Sequence, residues 1–225
     1  FISFANENSI YYNAGKMLIK QVQDTQLFDN ATLFSTDYLK NQEDFWDKHH
    51  IFIENNKRGY GYYIWKPYII KKKLEKLKNG DILLYLDSGC EIDTNKLDIL
   101  KEFFNIVKKD LIIGSFPKST NKNDYWYPLE KKWNKMDLMV KLDVINDKFL
   151  NAKQHEAGAN MFYVNDKTRA LVNKWYELAC DYHNIDDSPS KFPNFNNFVE
   201  HRHDQSIFSL LTKKMGIYCY EYSIN

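Results

Sequence analysis

The chain is short of the residues that mark several common functional classes. Its three cysteines, Cys90, Cys180 and Cys219, are odd in number and include no CxxC or other metal-ligand spacing. A disulfide framework is therefore disfavoured, and a reducing, cytoplasmic setting is expected. No apolar run reaches the roughly 18 to 20 residues that a membrane helix needs. No basic-then-apolar leader opens the chain, which starts at Phe1 rather than Met. Charge of one sign is also lacking: 31 Lys and Arg against 30 Asp and Glu leave a formal +1. No global field thus favours nucleic acid or an anionic membrane as partner. Neither the phosphate loop ending in GK[ST] nor the GxGxxG dinucleotide fingerprint occurs. With no Gly/Ser-rich or Pro-rich linker and no internal repeat, residues 1–225 read as one domain. What is present, 44% hydrophobic and 16% aromatic residues, suffices for one sizeable core.

Short apolar runs alternate with longer amphipathic ones, the pattern of strands and crossover helices in an α/β fold with a largely parallel sheet. Strands are predicted at 1–5, 31–35, 81–86, 111–114 and 159–164. Helices are predicted at 10–22, from near Lys66 to 77, and at 96–107, 167–180 and 204–214. Pro67 is tolerable only in a first turn or at a break. Asn79-Gly80 stops the second helix, and the continuous run Ile82-Leu83-Leu84-Tyr85-Leu86 then reads as a central strand buried on both faces. The Pro- and Trp-containing stretch 116–133 reads as an irregular loop over a site.

Four segments carry candidate chemistry. The central strand empties into Asp87-Ser88-Gly89, where α/β sheets bind ligands; Asp87 could hold a metal or hydroxyl, and Gly89 admits a ligand to the backbone. The competing reading is a turn with an Asx bond. Glu200 to Gln205 concentrates an acid, a base, a cation and a metal ligand before a helix, although Asp204 is also a natural N-cap. Arg58-Gly59-Tyr60-Gly61-Tyr62-Tyr63-Ile64-Trp65-Lys66-Pro67 offers aromatic faces, glycines and two cations for a base, sugar or phosphate, with core packing as the alternative for the aromatics. Gln154 to Phe162 puts small residues, with Glu156 and His155 beside them, before a strand; a tight structural turn would look the same.

Together these segments resemble nucleotide-sugar-dependent glycosyltransferases of the GT-A fold, over nearly the whole chain. Asp87-Ser88-Gly89 sits where such enzymes carry DxD, Glu156 to Met161 resembles the segment lining the sugar pocket, and His203-Asp204-Gln205 is similar to the DQ segment of glycogenin-like retaining enzymes. The Gly-Tyr-Gly-Tyr-Tyr-Ile-Trp-Lys-Pro-Tyr block is similar to one in glycosyltransferases of bacterial polysaccharide and giant-virus type. The resemblance implies a Rossmann-like sheet with helices on both faces, a UDP-sugar donor, and a glycan or glycoprotein acceptor. It also implies Asp204, Gln205 and Glu156 as catalytic groups. Phe4 and Asn6 would lie near the base, and Arg58, Trp65 and Lys66 near the nucleotide or diphosphate. Asp87, Ser88, Gly89, Gly158 and Ala159 would complete the donor site.

One departure from the family pattern matters: Gly89 replaces the second Asp of DxD. Any Mn²⁺ or Mg²⁺ would then depend on Asp87, alone or with Glu91, Asp93 or His203, and the alternative is an enzyme with little metal dependence. The DQ likeness favours retention at the anomeric carbon. A non-catalytic carbohydrate-binding or degenerate transferase domain stays open, whereas a nucleotidyltransferase would need a Gly-rich basic loop that Phe4-Ala5-Asn6-Glu7-Asn8 is not.

Overall fold

The computed structural model describes residues 1–114 and 127–216. Most of the expected loop at 116–133, and Cys219, lie outside these residues. In chain order the elements are β1 (Ile2–Phe4), α1 (Tyr11–Asp24), β2 (Thr32–Phe34), α2 (Thr36–Lys40), α3 (Glu43–Asn55), α4 (Gly59–Tyr62), α5 (Trp65–Lys76) and β3 (Ile82–Leu86). There follow α6 (Leu97–Asp110), β4 (Ile112–Gly114), α7 (Glu130–Trp133), α8 (Met136–Leu142), α9 (Asp147–Leu150), β5 (Ala159–Tyr163), α10 (Asp166–Ala179) and α11 (His203–Lys214).

The sheet order is β2-β1-β3-β5-β4. β1 runs parallel to β2 and β3, while β5 is antiparallel to both of its neighbours, β3 and β4. Four strands thus point one way and β5 alone is reversed, within the expected α/β class. Alternate residues of the strands feed two separate cores. Leu83, Tyr85, Ile112 and Phe162 face the cluster built with α3, α5, α8, α10 and α11, and Leu84, Leu86, Ile113 and Met161 face the one built with α1 and α6. Burial on both faces explains why β3 reads as an unbroken apolar run, each such side chain contributing about 1.5–3 kcal/mol.

The predicted helices recur within a few residues of their expected ends, with Pro67 in the first turn of α5, where its missing N–H is harmless. Residues 36–55 carry no element predicted from the sequence. There α3 buries Phe45, His49 and Ile53 at a four-residue spacing, so a histidine stands in the apolar stripe. Residues 130–133, expected to be irregular, form the short helix α7. The reversal of β5 has the greatest consequence, because it carries Gly158 and Ala159 to the carboxyl ends of β1 and β3. There the Asp87 amide donates to the Gly158 carbonyl at 2.7 Å, extending the β3–β5 ladder by one step.

Candidate active site

At this sheet edge lies a polar cleft of about 330 Å³, lined by Arg58, Tyr63, Lys66, Asp87, Cys90, Glu156, Gly158, Ala159, Arg202, His203, Asp204 and Gln205. The four sequence segments therefore converge on one place. Phe4, Asn6, Trp65, Ser88 and Gly89, expected on the donor side, are not among its lining residues. The Asn6 side chain accepts from the Asn8 amide in a local turn. Phe4 and Trp65 stack on each other with centroids 3.9 Å apart, both buried in the larger core. Tyr63, Cys90 and Arg202 belong to the segments singled out in the sequence, without being named there as site residues, and join the lining. Arg202 lies over the buried Trp133 ring at 4.1 Å, a cation–π contact that sequence spacing does not reveal.

The aromatic, glycine-containing block owes its composition to its backbone. Gly59, Tyr60, Gly61, Tyr62 and Tyr63 all have positive φ, between 53° and 80°, so α4 and its C-cap form one left-handed helical turn. L-residues resist this conformation by roughly 1–2 kcal/mol each, and strain of this kind clusters at functional sites. The turn is closed by the Tyr62 and Tyr63 amides, which donate to the Arg58 and Gly59 carbonyls at 2.8 and 3.0 Å, and by the Trp65 indole, which donates to the Gly59 carbonyl at 2.9 Å. The chain then re-enters a right-handed helix at α5, leaving Arg58, Tyr63 and Lys66 on the cleft wall.

Lys66 is the electrostatic centre. Its buried ammonium lies 3.1 Å from Asp87 and 3.6 Å from Asp204. The rings of Tyr63, Tyr85 and Trp65 stand 5.2 to 5.8 Å from it. Burial works against its charge, but Asp204 and Asp87 outweigh burial and lift it above the usual lysine range. Asp204 is pushed up to about 7, chiefly by burial, with Lys66 opposing and Asp87 reinforcing the shift. Above about pH 7, where Asp204 is ionised, one cation between two carboxylates leaves the cluster a negative charge in excess.

Asp87 is not held by an Asx bond: one oxygen accepts from the Tyr85 hydroxyl at 2.5 Å and meets Lys66, and the turn is closed by the Cys90 amide donating to the Asp87 carbonyl. Nor is Asp204 a helix cap. It is the second residue of α11, the N-cap is Arg202, and Asp204 Oδ2 is buried without a hydrogen bond. Gln205 spends both ends of its amide inside the protein, donating to Gln154 at 2.9 Å and accepting from the Ala157 amide at 3.2 Å.

A divalent ion bound through a diphosphate takes one or two protein ligands and completes its shell with phosphate oxygens and water. His203 suits that part. Its Nδ1 faces the Ile185 carbonyl at 2.7 Å and so must carry the proton, leaving Nε2 an unprotonated lone pair. That atom is buried without a hydrogen-bond partner. Burial holds the ring pKa below the usual histidine value, so the imidazole is neutral, as ligation requires. Asp87 Oδ2, free of the Tyr85 and Lys66 contacts, is the second candidate donor. Among the described residues no three His, Cys, Asp or Glu side chains converge as a cage, so the protein alone offers no closed site.

No protein-family model matches the chain, and no curated protein sequence matches it. In structure it is similar to the apo form of mouse xyloside xylosyltransferase 1, with TM-score 0.46 and 9% identity over 98% of this chain and 83% of that one. It is also similar to the galactosyltransferase LgtC solved with donor and acceptor sugar analogues, with TM-score 0.48 and 14% identity over 97% of this chain and 72% of that one.

Proposed function

We propose that the chain is a GT-A-type glycosyltransferase that moves a sugar from a nucleotide sugar, a UDP-sugar foremost, to a hydroxyl of a glycan or glycoprotein, with retention at the anomeric carbon. The observation that carries the reading is the Asp87–Lys66–Asp204 cluster at the carboxyl edge of the sheet, opening on a polar cleft with Gly158 packed against Asp87. A reaction that breaks a sugar–phosphate bond develops positive charge on the sugar and negative charge on the leaving diphosphate. The half-exposed Asp87 and the buried Asp204 suit the first, and Arg58 and Arg202 on the cleft wall suit the second. Arg58 is presently held by Asp187 at 3.2 Å and Glu200 at 3.4 Å, and would exchange these half-exposed partners for phosphate oxygens. In this reading Gly158, whose missing side chain makes way for Asp87, and Ala159 line the sugar's side of the cleft, and Glu156 contacts the sugar hydroxyls or the acceptor. Mn²⁺ or Mg²⁺ at Asp87 and His203 would neutralise the diphosphate when bound.

The test is a thermal-shift and turnover screen against UDP-, GDP- and CMP-sugars, with and without Mn²⁺, on the wild type and on Asp204→Asn. A donor at about a hundred times its dissociation constant adds roughly 2.7 kcal/mol to stability. Stabilisation by one nucleotide class, kept in Asp204→Asn while transfer is lost, is the expected result. Full transfer in that variant would sink the role of Asp204. Stabilisation by free oligosaccharides and by no nucleotide sugar would replace the proposal with a carbohydrate-binding domain.

A further inference from the structure

Behind the cleft, away from any expected ligand, lies a fully buried carboxylate. Glu130 is 0% exposed, and it sits on α7, a helix of one turn that the sequence reading took for loop. Its Oε1 accepts from the Ser209 hydroxyl at 2.5 Å and from Lys213 at 2.7 Å. Its Oε2 accepts from the Asn134 amide at 2.6 Å and, more weakly, from the Gln154 amide at 3.4 Å. A buried ion pair of this kind is weak evidence for a stabilising role, which makes its attachments the informative feature.

Two of these attachments lead to the same stretch of backbone. Ser209 Oγ, which gives its hydrogen to Glu130, accepts the His155 N–H at 2.7 Å. Gln154, whose amide nitrogen donates to Glu130 and, at the same 3.4 Å, to the Trp133 carbonyl, accepts at its other end from Gln205, and Gln205 in turn accepts the Ala157 N–H. Both relays therefore begin at a backbone donor just before Gly158 and end at a group that can only accept. Such a chain has a single arrangement in which every member is satisfied. The next residue, Gly158, meets Asp87 twice: its carbonyl accepts the Asp87 amide at 2.7 Å, and the place where a Cβ would sit is 2.7 Å from Asp87 Oδ2.

We propose that Glu130 is a positioning residue, which through Ser209 and through Gln154–Gln205 fixes the Ala157–Gly158 wall against Asp87 and so sets the width of the donor-sugar pocket. The use of that pocket for a donor rests on the reading above; the mechanical part does not. Glu130→Gln keeps the shape but replaces an acceptor with a donor. Whichever way the new amide turns, its N–H₂ faces either Asn134 and Gln154, or Ser209 and Lys213, all of which now donate.

The experiment compares wild type, Glu130→Gln, Gln154→Met and the double variant, first by hydrogen exchange of residues 154–162 in the ligand-free protein. The second readout is KM for the nucleotide sugar found to turn over. Glu130→Gln should speed exchange at 154–162 at least tenfold while leaving α3 unchanged, and raise the donor KM about tenfold with a smaller effect on kcat. In the Gln154→Met background the same change should have a reduced effect, because one relay is already cut. Gln154→Met, which leaves the Glu130–Lys213 pair in place, serves as the readout if Glu130→Gln does not fold. Unchanged exchange at 154–162 in either variant, or full additivity of the two, overturns the proposal. If exchange responds but the wild type turns over no nucleotide sugar, the donor reading fails and Glu130 loses its role in sugar recognition, keeping only the mechanical one.

Discussion

Gly158 and Asp87 face each other so closely that the cleft floor has no room for a side chain between them: a Cβ on Gly158 would lie 2.7 Å from Asp87 Oδ2 and 3.4 Å from its Cγ. The contact joins the reversed strand β5 to the end of β3, two segments about seventy residues apart in sequence.

Gly158→Ala should therefore act on Asp87 before it acts on the fold. Overpacking of this sort costs about 1–3 kcal/mol. The expected outcome is a modest drop in the denaturation midpoint together with loss of nucleotide-sugar stabilisation in a thermal-shift titration. A variant with undiminished donor binding would show that the wall can retreat without consequence.

Removing the cation from the cluster should be far more damaging than removing a carboxylate. Lys66→Met leaves Asp87 and Asp204 facing each other without the ammonium, and breaking a buried pair costs about 3–5 kcal/mol. Asp204→Asn instead relieves the surplus negative charge and should denature at or above the wild-type urea concentration. Reversal of that order in urea melts would contradict the charge balance described for the site.

The left-handed turn supplies a third prediction. Gly61 has φ +80°, and a Cβ there would approach Ile53 Cγ1 to 2.7 Å. Gly61→Ala should thus lose stability through both backbone strain and a clash with α3, by about 1–3 kcal/mol. Equilibrium unfolding in guanidinium measures it, with Gly80→Ala, whose Cβ would find its first neighbour only at 3.8 Å, reporting the positive φ alone.

Acid should weaken the protein before any carboxylate except Asp204 protonates. Burial lowers His49 to about 4 and His155 to about 2, with Lys48 and Lys213 adding to the effect. An unfolded histidine titrates near 6.5, so below that pH the unfolded chain binds protons that the folded chain refuses. Stability should fall as pH drops from about 6.5 towards 4, by up to about 1.4 kcal/mol per pH unit for each histidine, with Asp204, whose raised carboxyl takes up a proton on the folded side, offsetting one of them. Urea midpoints at pH 7, 6 and 5 test this, and a flat profile would contradict it. Glu7, whose carboxyl its hydrogen bonds to Ser35 and Thr36 hold at about 2 against burial, enters only below pH 4.5.

Much of this architecture is legible in the sequence wherever a signal is local. The apolar run of β3 and the amphipathic stripes of α1, α6 and α10 fall close to their expected positions because burial on one or two faces writes itself into periodicity. Asp87, Lys66, His203 and Asp204 could be singled out from strand-end position and the crowding of ionisable groups. The reversal of β5 could not, since a strand's apolar pattern reads the same in both directions. The left-handed turn was concealed because three of its five residues are tyrosines, which propensity would never place at positive φ. Glu130 carried no signal at all: its partners lie at positions 134, 154, 209 and 213, and only the fold brings them together.

The strand order also bears on how the cleft comes into being. β5 sits between β3 and β4, although it follows both in the chain, so β3 and β4 have no direct pairing with each other. Until residues 159–163 insert, the sheet is split, Asp87 lacks its facing wall, and β4 has nothing to pair with. Such long-range closure slows folding. The capacity to bind is accordingly acquired late, in the step that makes the sheet continuous, and partly folded chains should be blind to any ligand of the cleft.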